Sequence, residues 1–277
     1  MITSNPDHRP VAEVTARQER LRRPVRVAFV IGGYPETEFR RRESAALSYA
    51  TPGIQIGIVR AAASPFVQGL TPAEVQLAAP SFIAAYREAE REGYDAVVPL
   101  GTLDLGVDGG RSVVDIPVIA PTEAMLHVGC LLGDRLGAVV YHDDLIPMLR
   151  AIVRRYGMEE KVVGWRSTGF DLPDISANAT AMSEAFVQAA RRLVREDGCD
   201  VILAMGVTQC PVLLDPAWVE SEVGVPVVEG IGAPLHLAGM LASLSLRHSR
   251  SRWRRSSAFA YRIEEAAGRR NLHAVKV

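Results

Sequence analysis

The sequence lacks the features that are typical of disulfide-rich, membrane-spanning and secreted proteins. Its 277 residues contain three cysteines, Cys130, Cys199 and Cys210, which do not make a disulfide framework and indicate a reducing compartment. No run of about 18 or more apolar residues is present, so we expect no membrane-spanning segment. The first residues also lack the apolar stretch of a secretory signal, and the expected location is the cytoplasm.

An excess of charge of one sign is also lacking. Lys and Arg number 31 and Asp and Glu number 32, which gives a formal net charge of −1. This balance provides no general attraction to nucleic acid or to a membrane surface, and we expect neither as a partner. A nucleotide site is not predicted either. Gly32 and Gly33 follow the first predicted strand, but neither a Gly-x-Gly-x-x-Gly pattern nor a P-loop is present.

One stretch, residues 94–106, is the starting point for the predictions of fold and site. Residues 97–100 form a short apolar run that predicts a strand covered on both faces, as in an α/β protein. Gly101 ends the run, and Thr102 and Asp104 are the first polar side chains beyond it. In open α/β sheets the carboxyl ends of the strands are where ligands bind, so this turn is the first candidate for a site.

The stretch has a second copy at residues 200–210. In each copy an Asp is followed six residues later by a Gly, with an apolar strand between them. The likeness continues downstream, where residues 116–127 match residues 225–236. The sequence therefore predicts a duplicated α/β unit, whose halves would place the turns at Gly101 and Gly206 on opposite sides of one cleft.

The predicted organisation is a tail, a duplicated core and a basic extension. The expected parts are a tail at residues 1–24, halves near 25–135 plus 225–250 and near 136–224, and an extension at 251–277. The arginines from Arg247 onwards form either a phosphate-binding patch or a tail that is mobile or packs against another subunit. Earlier in the chain, a helix over residues 36–49 carries three arginines in a row, at 40–42, which we expect on a solvated face.

Four segments, taken in order, resemble those of a known family. They are residues 101–111, 116–124, 146–157 and 224–249. The first looks like a Cys-x-x-Asp-Pro-Gly-Leu-Asp-x-x-Arg turn, and the third looks like a Pro…Arg-Arg-Tyr-Gly helix. With this order and spacing, the chain resembles the aspartate/glutamate/hydantoin racemase superfamily, nearest the hydantoin racemase branch.

The resemblance implies a fold and a class of ligand. It implies an α/β fold of two pseudo-symmetric, flavodoxin-like halves with parallel sheets and a cleft between them. It also implies a small carboxylate or cyclic amide as the substrate, with no metal and no organic cofactor. A homo-oligomer, most simply a dimer, is the assembly expected from the resemblance.

The chain departs from the family at the positions that carry the chemistry. Family racemases place one Cys at the end of each twin strand, because racemisation needs a base on one face of a carbon and an acid on the other. Here the first position is Gly101. The second is Gly206 by gap-free counting, or Val207 if Thr208 and Pro211 are the anchors. None of these side chains carries a proton, so the sequence argues against two-thiol racemisation.

Two classes of function follow. The first is an enzyme of the same superfamily that acts next to a carbonyl or carboxylate as an isomerase, a lyase or decarboxylase, or a hydrolase. The second is a small-molecule-binding module that keeps the cleft and has lost the chemistry. Tight binding of a small acid without turnover would indicate the binding module. A third alternative is a true racemase that uses carboxylates, and solvent deuterium entering the α-carbon of both enantiomers of a hydantoin or amino acid would be its signature.

Three residues are candidates for moving a proton, and each also has a structural interpretation. Asp104 is either a general acid/base or an acceptor of backbone N–H groups that holds its turn. Glu123 is either catalytic or a favourable charge at the start of a helix. Cys210, the one thiol near a motif turn, is either a displaced acid or nucleophile or a buried structural thiol.

The predicted ligand-binding residues surround the two turns. Thr102 and Thr208 either cradle a carboxylate with hydroxyl and backbone N–H groups or cap local structure. Tyr34 is a candidate donor, and His142, beside two aspartates, is a candidate base or metal ligand. The full set is Tyr34, Gly101, Thr102, His142, Gly206, Val207, Thr208 and Gln209.

Overall fold

The structure is a computed structural model, which describes residues 21–61, 64, 71–170, 175 and 177–255. Most of the predicted tail, residues 1–20, and most of the predicted extension, residues 256–277, lie outside the described residues. Among the described residues, none of the helices is both long enough and apolar enough to span a membrane.

The first half of the chain forms a parallel sheet with the strand order β2-β1-β3. Its elements are β1 (Val25–Ile31), α1 (Glu36–Leu47), β2 (Ile54–Arg60), α2 (Pro72–Arg91), β3 (Ala96–Pro99), α3 (Val107–Val113) and α4 (Pro121–Leu132). A parallel bridge between Val97 and Val118 extends the sheet beyond β3. The predicted start of α2 is observed, because Thr71 and Glu74 form a capping box and Pro72 is the first helical residue.

The second half forms a parallel sheet with the strand order β5-β4-β6-β7. Its elements are β4 (Leu136–Val140), α5 (Ile146–Arg155), β5 (Val162–Ser167), α6 (Ala179–Glu196), β6 (Val201–Ala204), a wide helical turn (Thr208–Leu213), α7 (Pro216–Val223), β7 (Val227–Glu229) and α8 (Gly232–Ser243). The prediction of two α/β halves with parallel sheets is confirmed.

The duplication extends to individual hydrogen bonds at the strand ends. The Leu100 N–H donates to the Val30 carbonyl at 2.8 Å, and the Met205 N–H donates to the Val139 carbonyl at 2.9 Å. Both bonds join the residue just past one of the twin strands, β3 or β6, to the neighbouring strand, which is β1 in one half and β4 in the other. The residues that follow, Gly101 and Gly206, therefore occupy equivalent places in the two halves.

The two halves exchange helices. On α4, Met125 and Leu126 pack in one buried cluster with Leu203 of the second sheet. On α8, Leu235 and Ala238 pack with the first sheet. The segment 225–250, which we expected to join the first half, is therefore divided, since β7 pairs with β6 while α8 covers the first sheet. The cluster that contains Leu235 thus includes residues from both ends of the chain, from Val25 to Ala238.

The basic residues after α8 form a strap, which we define as residues 247–255. Within it, the His248 Nε2 accepts the Val118 N–H at 2.8 Å, and Arg250 donates to the Arg111 carbonyl and to Asp115, each at 2.7 Å. A mobile tail is therefore wrong for this segment. Since Arg250 is already paired with a carboxylate of the same chain, a phosphate-binding role for it is also disfavoured.

Candidate active site

The two strand ends meet where the halves touch. The Thr102 hydroxyl of the first half donates to the Met205 carbonyl of the second at 2.7 Å. Val207 is buried in the core cluster of the first half, beside Ile231. A side chain on Gly230 would start 2.8 Å from the Val207 Cγ1 and 3.4 Å from the Thr102 Cγ2. The structure therefore brings Thr102 and Val207 together, as the duplicated sequence predicts.

The two equivalent glycines differ in their surroundings. Gly101 has a φ of +99°, and a Cβ built on it would meet no atom within 4 Å. A Cβ on Gly206 would lie 2.7 Å from the Gln209 Oε1 and 3.0 Å from the Tyr141 Cε1. Backbone conformation therefore favours glycine at the first position, and a close approach by two buried side chains requires it at the second.

A buried arginine joins the halves beside the second turn. Arg42 of α1 is 1% exposed, and its Nη2 donates to the Thr208 Oγ1 at 2.6 Å. Its Nη1 donates to the Glu38 Oε2 at 2.7 Å, and its guanidinium lies 4.0 Å from the centre of the Tyr34 ring. The expectation that all three arginines of α1 are solvated is therefore wrong for Arg42. The reason is geometric, because consecutive helical residues point roughly 100° apart, and Arg42 is the one of the three that faces Thr208 of the second half.

Tyr141 completes this group. It directly follows β4, and its Oη accepts the Thr208 N–H at 2.8 Å. Burial raises the pKa of Tyr141 to about 12, although the hydrogen bond from Thr208 and the Arg42 charge oppose the rise. We call Tyr34, Arg42, Tyr141, Thr208 and Gln209 the inter-half cluster.

Two polar atoms of the inter-half cluster have no partner among the described residues. They are the Nε of Arg42 and the Oε1 of Gln209, and Gln209 is fully buried. The Gln209 Nε2 is occupied, since it donates to the Thr168 hydroxyl. An unsatisfied buried polar atom costs on the order of 1–3 kcal/mol, so a cluster with one such donor and one such acceptor is suited to a polar ligand or water.

Asp104 lies two residues after Thr102 in the first turn, and its hydrogen bonds also join the two halves. Its Oδ1 accepts the Thr122 N–H at 3.0 Å, and its Oδ2 accepts the Tyr156 hydroxyl of the second half at 2.8 Å. Burial raises the pKa of Asp104 to about 7, and these two hydrogen bonds oppose the rise. The carboxyl group therefore caps the start of α4 and also titrates near neutrality, which suits a proton-transfer group.

The other two predicted proton-transfer groups are held elsewhere. Glu123 is paired with the buried guanidinium of Arg111. Cys210 is fully buried in an apolar cluster of the second half that includes Val139 and Ile202, and burial raises the pKa of its thiol well above the usual value. These contacts match the structural interpretations of both residues and argue against proton transfer by either.

His142 is engaged locally. Its Nδ1 accepts the Asp144 N–H at 3.4 Å, at the start of a short 3₁₀ turn. The hydrogen bond gives His142 a capping role, and the side chain is 38% exposed. The structure therefore does not join it to the inter-half cluster through any contact between described residues.

Sequence reasoning missed two residues of the cluster, Arg42 and Tyr141. A signal for Tyr141 was present, because it follows a buried strand at the carboxyl edge of a parallel sheet, where ligands bind. For Arg42 no such signal is present in the sequence, because an i, i+4 pair with Glu38 is equally typical of an exposed helix face.

Comparison with known proteins shows which families and structures this chain is similar to. The family model described as Asp/Glu/Hydantoin racemase matches residues 40–238. A hydantoin racemase of Pseudomonas sp. (strain NS671) is 30% identical over 174 residues, which cover 63% of this chain and 69% of the relative. An allantoin racemase from Pseudomonas fluorescens superposes with a TM-score of 0.73 at 22% identity, over 84% of this chain and 97% of that one.

A second type of enzyme shares the fold. A crystal structure of arylmalonate decarboxylase superposes with a TM-score of 0.54 at 21% identity, over 78% of this chain and 92% of that one. At this level of identity the likeness shows the fold alone. The architecture is therefore shared by proteins named as racemases and by a protein named as a decarboxylase.

Proposed function

The chain belongs to the Asp/Glu/hydantoin racemase family, and on that premise we propose that it is an enzyme acting on a small carboxylate or cyclic amide next to a carbonyl group. The reaction is an isomerisation, a decarboxylation or another lyase reaction, or a hydrolysis. It is not a racemisation by two thiols, and it uses no metal or organic cofactor.

One observation carries this proposal: the equivalent strand-end positions hold Gly101 and Gly206, next to a buried polar cluster and a carboxyl group that titrates near neutrality. A cleft without thiols loses the acid and base of a racemase. The inter-half cluster nevertheless keeps hydrogen-bonding atoms without partners among the described residues, which suit a polar ligand. Groups suited to binding a polar ligand are thus present, although the pair of proton-transferring thiols is absent.

The residues take different roles in this mechanism. The Tyr141 hydroxyl, oriented by Thr208, donates a hydrogen bond to the substrate oxygen on which negative charge develops. The Arg42 guanidinium provides a fixed positive charge behind Thr208. Asp104 moves one proton to or from the reacting carbon. Because one group moves the proton, it approaches from one face, and the product is a single stereoisomer.

The test uses Asp104→Asn with a panel of substituted hydantoins, amino acids and disubstituted malonates. We expect wild-type turnover of at least one compound and its loss in Asp104→Asn, with an unchanged circular dichroism spectrum. Asp108→Asn, an exposed change in the first turn of α3, is the matched control and keeps activity. Full activity in Asp104→Asn would remove Asp104 from the mechanism.

The alternative function is a binding module with the same cleft. It is favoured by the structural contacts of the candidate proton-transfer groups, since Asp104 caps α4, Glu123 pairs with Arg111 and Cys210 lies in a core. Calorimetry on the same panel distinguishes the two functions. Binding of a compound without turnover of any would favour the module, and turnover would exclude it.

A further inference from the structure

We propose that Tyr156 is a positioning residue for Asp104, whose hydroxyl group reaches across the boundary between the halves and keeps the Asp104 carboxyl group able to accept a proton at neutral pH. This inference rests on the proposed function, because it concerns the group that moves the proton there. Its starting point is the segment 146–157, to which the proposed function gives no role.

The end of α5 directs Tyr156 towards the first half. The helix ends at Arg155, and Gly157 has a φ of +72°, a left-handed conformation that lets the chain turn away from the helix. The Tyr156 ring packs against the cluster of the second half that includes Val153 and against the cluster of the first half that includes Leu105. The side chain therefore bridges the two halves and is held by both.

The direction of the Tyr156 hydroxyl proton follows from its partners. An arginine side chain carries only donors, so the Arg155 Nη2 donates to the Tyr156 Oη across their 3.2 Å contact. Burial and the negative charge of Asp104 raise the pKa of Tyr156, so this hydroxyl stays protonated at neutral pH. Its proton is then donated to the Asp104 Oδ2, which lies 2.8 Å away.

Each oxygen of the Asp104 carboxyl group thus has a donor. The Oδ1 accepts the Thr122 N–H at 3.0 Å, and the Oδ2 accepts the Tyr156 hydroxyl. Donors of this kind stabilise the carboxylate relative to the neutral acid. Burial acts in the opposite direction and raises the pKa of Asp104 to about 7. Without the Tyr156 hydroxyl, burial would prevail, and the carboxyl group would already hold a proton at neutral pH.

The other ionisable groups that face Asp104 come from both halves. They are Tyr86 of α2, Glu123 of α4 and Arg155 of α5. The charge of Glu123 opposes ionisation of Asp104, whereas the charge of Arg155 favours it. Glu123 is itself paired with Arg111, which offsets part of its charge. Tyr156 differs from these groups because it donates a hydrogen bond directly to the carboxyl group.

Carbon NMR of the full chain tests this role without a substrate. The aspartate carboxyl carbons are labelled with carbon-13, the Asp104 signal is assigned by its loss in Asp104→Asn, and its ionisation midpoint is followed from about pH 4 to about pH 9. Tyr156→Phe removes the hydroxyl and keeps the ring that packs in both clusters. We expect the midpoint to rise by on the order of one pH unit.

Two neighbouring arginines provide a matched pair of variants. Arg155→Met removes the donor behind Tyr156 and should raise the midpoint by a smaller amount, about half a pH unit, because solvent screens this half-exposed side chain. Arg155→Lys keeps the positive charge at these pH values and should hold the midpoint near that of the wild type. Arg154→Met is the control and should leave the midpoint unchanged, because the Arg154 side chain is paired with Glu159.

An unchanged midpoint in folded Tyr156→Phe would overturn the inference and leave Tyr156 as a packing residue, whose loss lowers only the melting temperature. If Tyr156→Phe does not fold, equal midpoints in Arg155→Met and Arg154→Met would overturn it in the same way. For any compound that is turned over, the acidic limb of the pH–rate profile should move to higher pH in Tyr156→Phe by the same amount as the midpoint.

The NMR result is independent of turnover. A raised midpoint in a protein that turns over no compound would keep the control of Asp104 by Tyr156 and sink the proposed function. Turnover that is lost in Asp104→Asn, together with an unchanged midpoint in Tyr156→Phe, would do the opposite.

Discussion

In the first half Gly101 has a φ of +99° and open space beside its Cα, whereas Gly206 in the second half is enclosed by Gln209 and Tyr141. The two positions are equivalent by strand order and by hydrogen bonding, yet different forces select glycine at each. The two halves therefore share the hydrogen bonding at their strand ends, and they differ in the side chains that surround the glycine there.

The largest effect should come from adding a methyl group to the enclosed glycine. Gly206→Ala forces a Cβ against the Gln209 Oε1 and the Tyr141 ring, and we expect a loss of about 3 kcal/mol in the free energy of unfolding. Gly101→Ala, where the cost is backbone conformation, should lose about 1 kcal/mol. Urea denaturation of both variants measures the difference.

Gln209→Ala in the Gly206→Ala background provides the control for this pair. It removes the nearest obstructing atom, so part of the stability should return. The same change should not help Gly101→Ala. Equal losses for the two glycines, without rescue by Gln209→Ala, would show that the turns do not differ as described.

The next effect concerns the strap, which covers the first half at α3. Arg250→Ala removes bonds to the Arg111 and Val114 carbonyls and to Asp115, and we expect a loss of about 2 kcal/mol. The matched control in the second half is Arg191→Ala, which breaks contacts to Glu222 and should cost about 0.5 kcal/mol. Thermal melts in the same buffer compare them, and equal losses would contradict a structural role for the strap.

The last effect concerns Asp104, and it depends on pH. The pKa of this group is raised in the folded state, to about 7, so the folded protein binds more protons than the unfolded chain between about pH 4 and 7. Its contribution to stability therefore falls as the pH rises through that window. Asp104→Asn does not titrate, and its melting temperature relative to wild type should rise between pH 5 and pH 8.

Asp200 gives the opposite case and serves as the control. Its carboxylate accepts the N–H groups of Asp134 and Arg135, and its pKa is lowered in the folded state. Stability from such a group is present above the unfolded pKa and is lost in acid, so Asp200→Asn should show no relative gain between pH 5 and pH 8. A relative gain there, or none for Asp104→Asn, would contradict the assignment.

The sheets and their duplication are readable from the sequence because short apolar runs between an Asp and a Gly specify buried parallel strands. The exchange of α4 and α8 is not readable, since apolar periodicity shows that a helix is buried but not which sheet it covers. Arg42 was missed because a run of arginines predicts solvent exposure, and its inward turn depends on partners distant in sequence, Thr208 above all. The strap was missed for the same reason.

The residues of the two turns were predicted from their place after the twin strands, and the structure brings Thr102 and Val207 together there. The roles of Asp104, Glu123 and Cys210 were left open by the sequence, because burial and hydrogen-bond partners decide them. A carboxyl group three residues after a strand looks the same in sequence whether it caps a helix or moves a proton. In the structure Asp104 caps α4, and proton transfer by it stays a prediction.

The most direct test of the account is proton NMR of the enzyme in deuterium oxide with each enantiomer of a 5-substituted hydantoin and with a disubstituted malonate. The account predicts no deuterium exchange through both faces of the hydantoin carbon, and a singly deuterated product of one configuration from any compound that is turned over. Deuterium entering both hydantoin enantiomers at comparable rates would show racemisation by two bases, and it would contradict the proposal that a single group moves the proton at one face of the carbon.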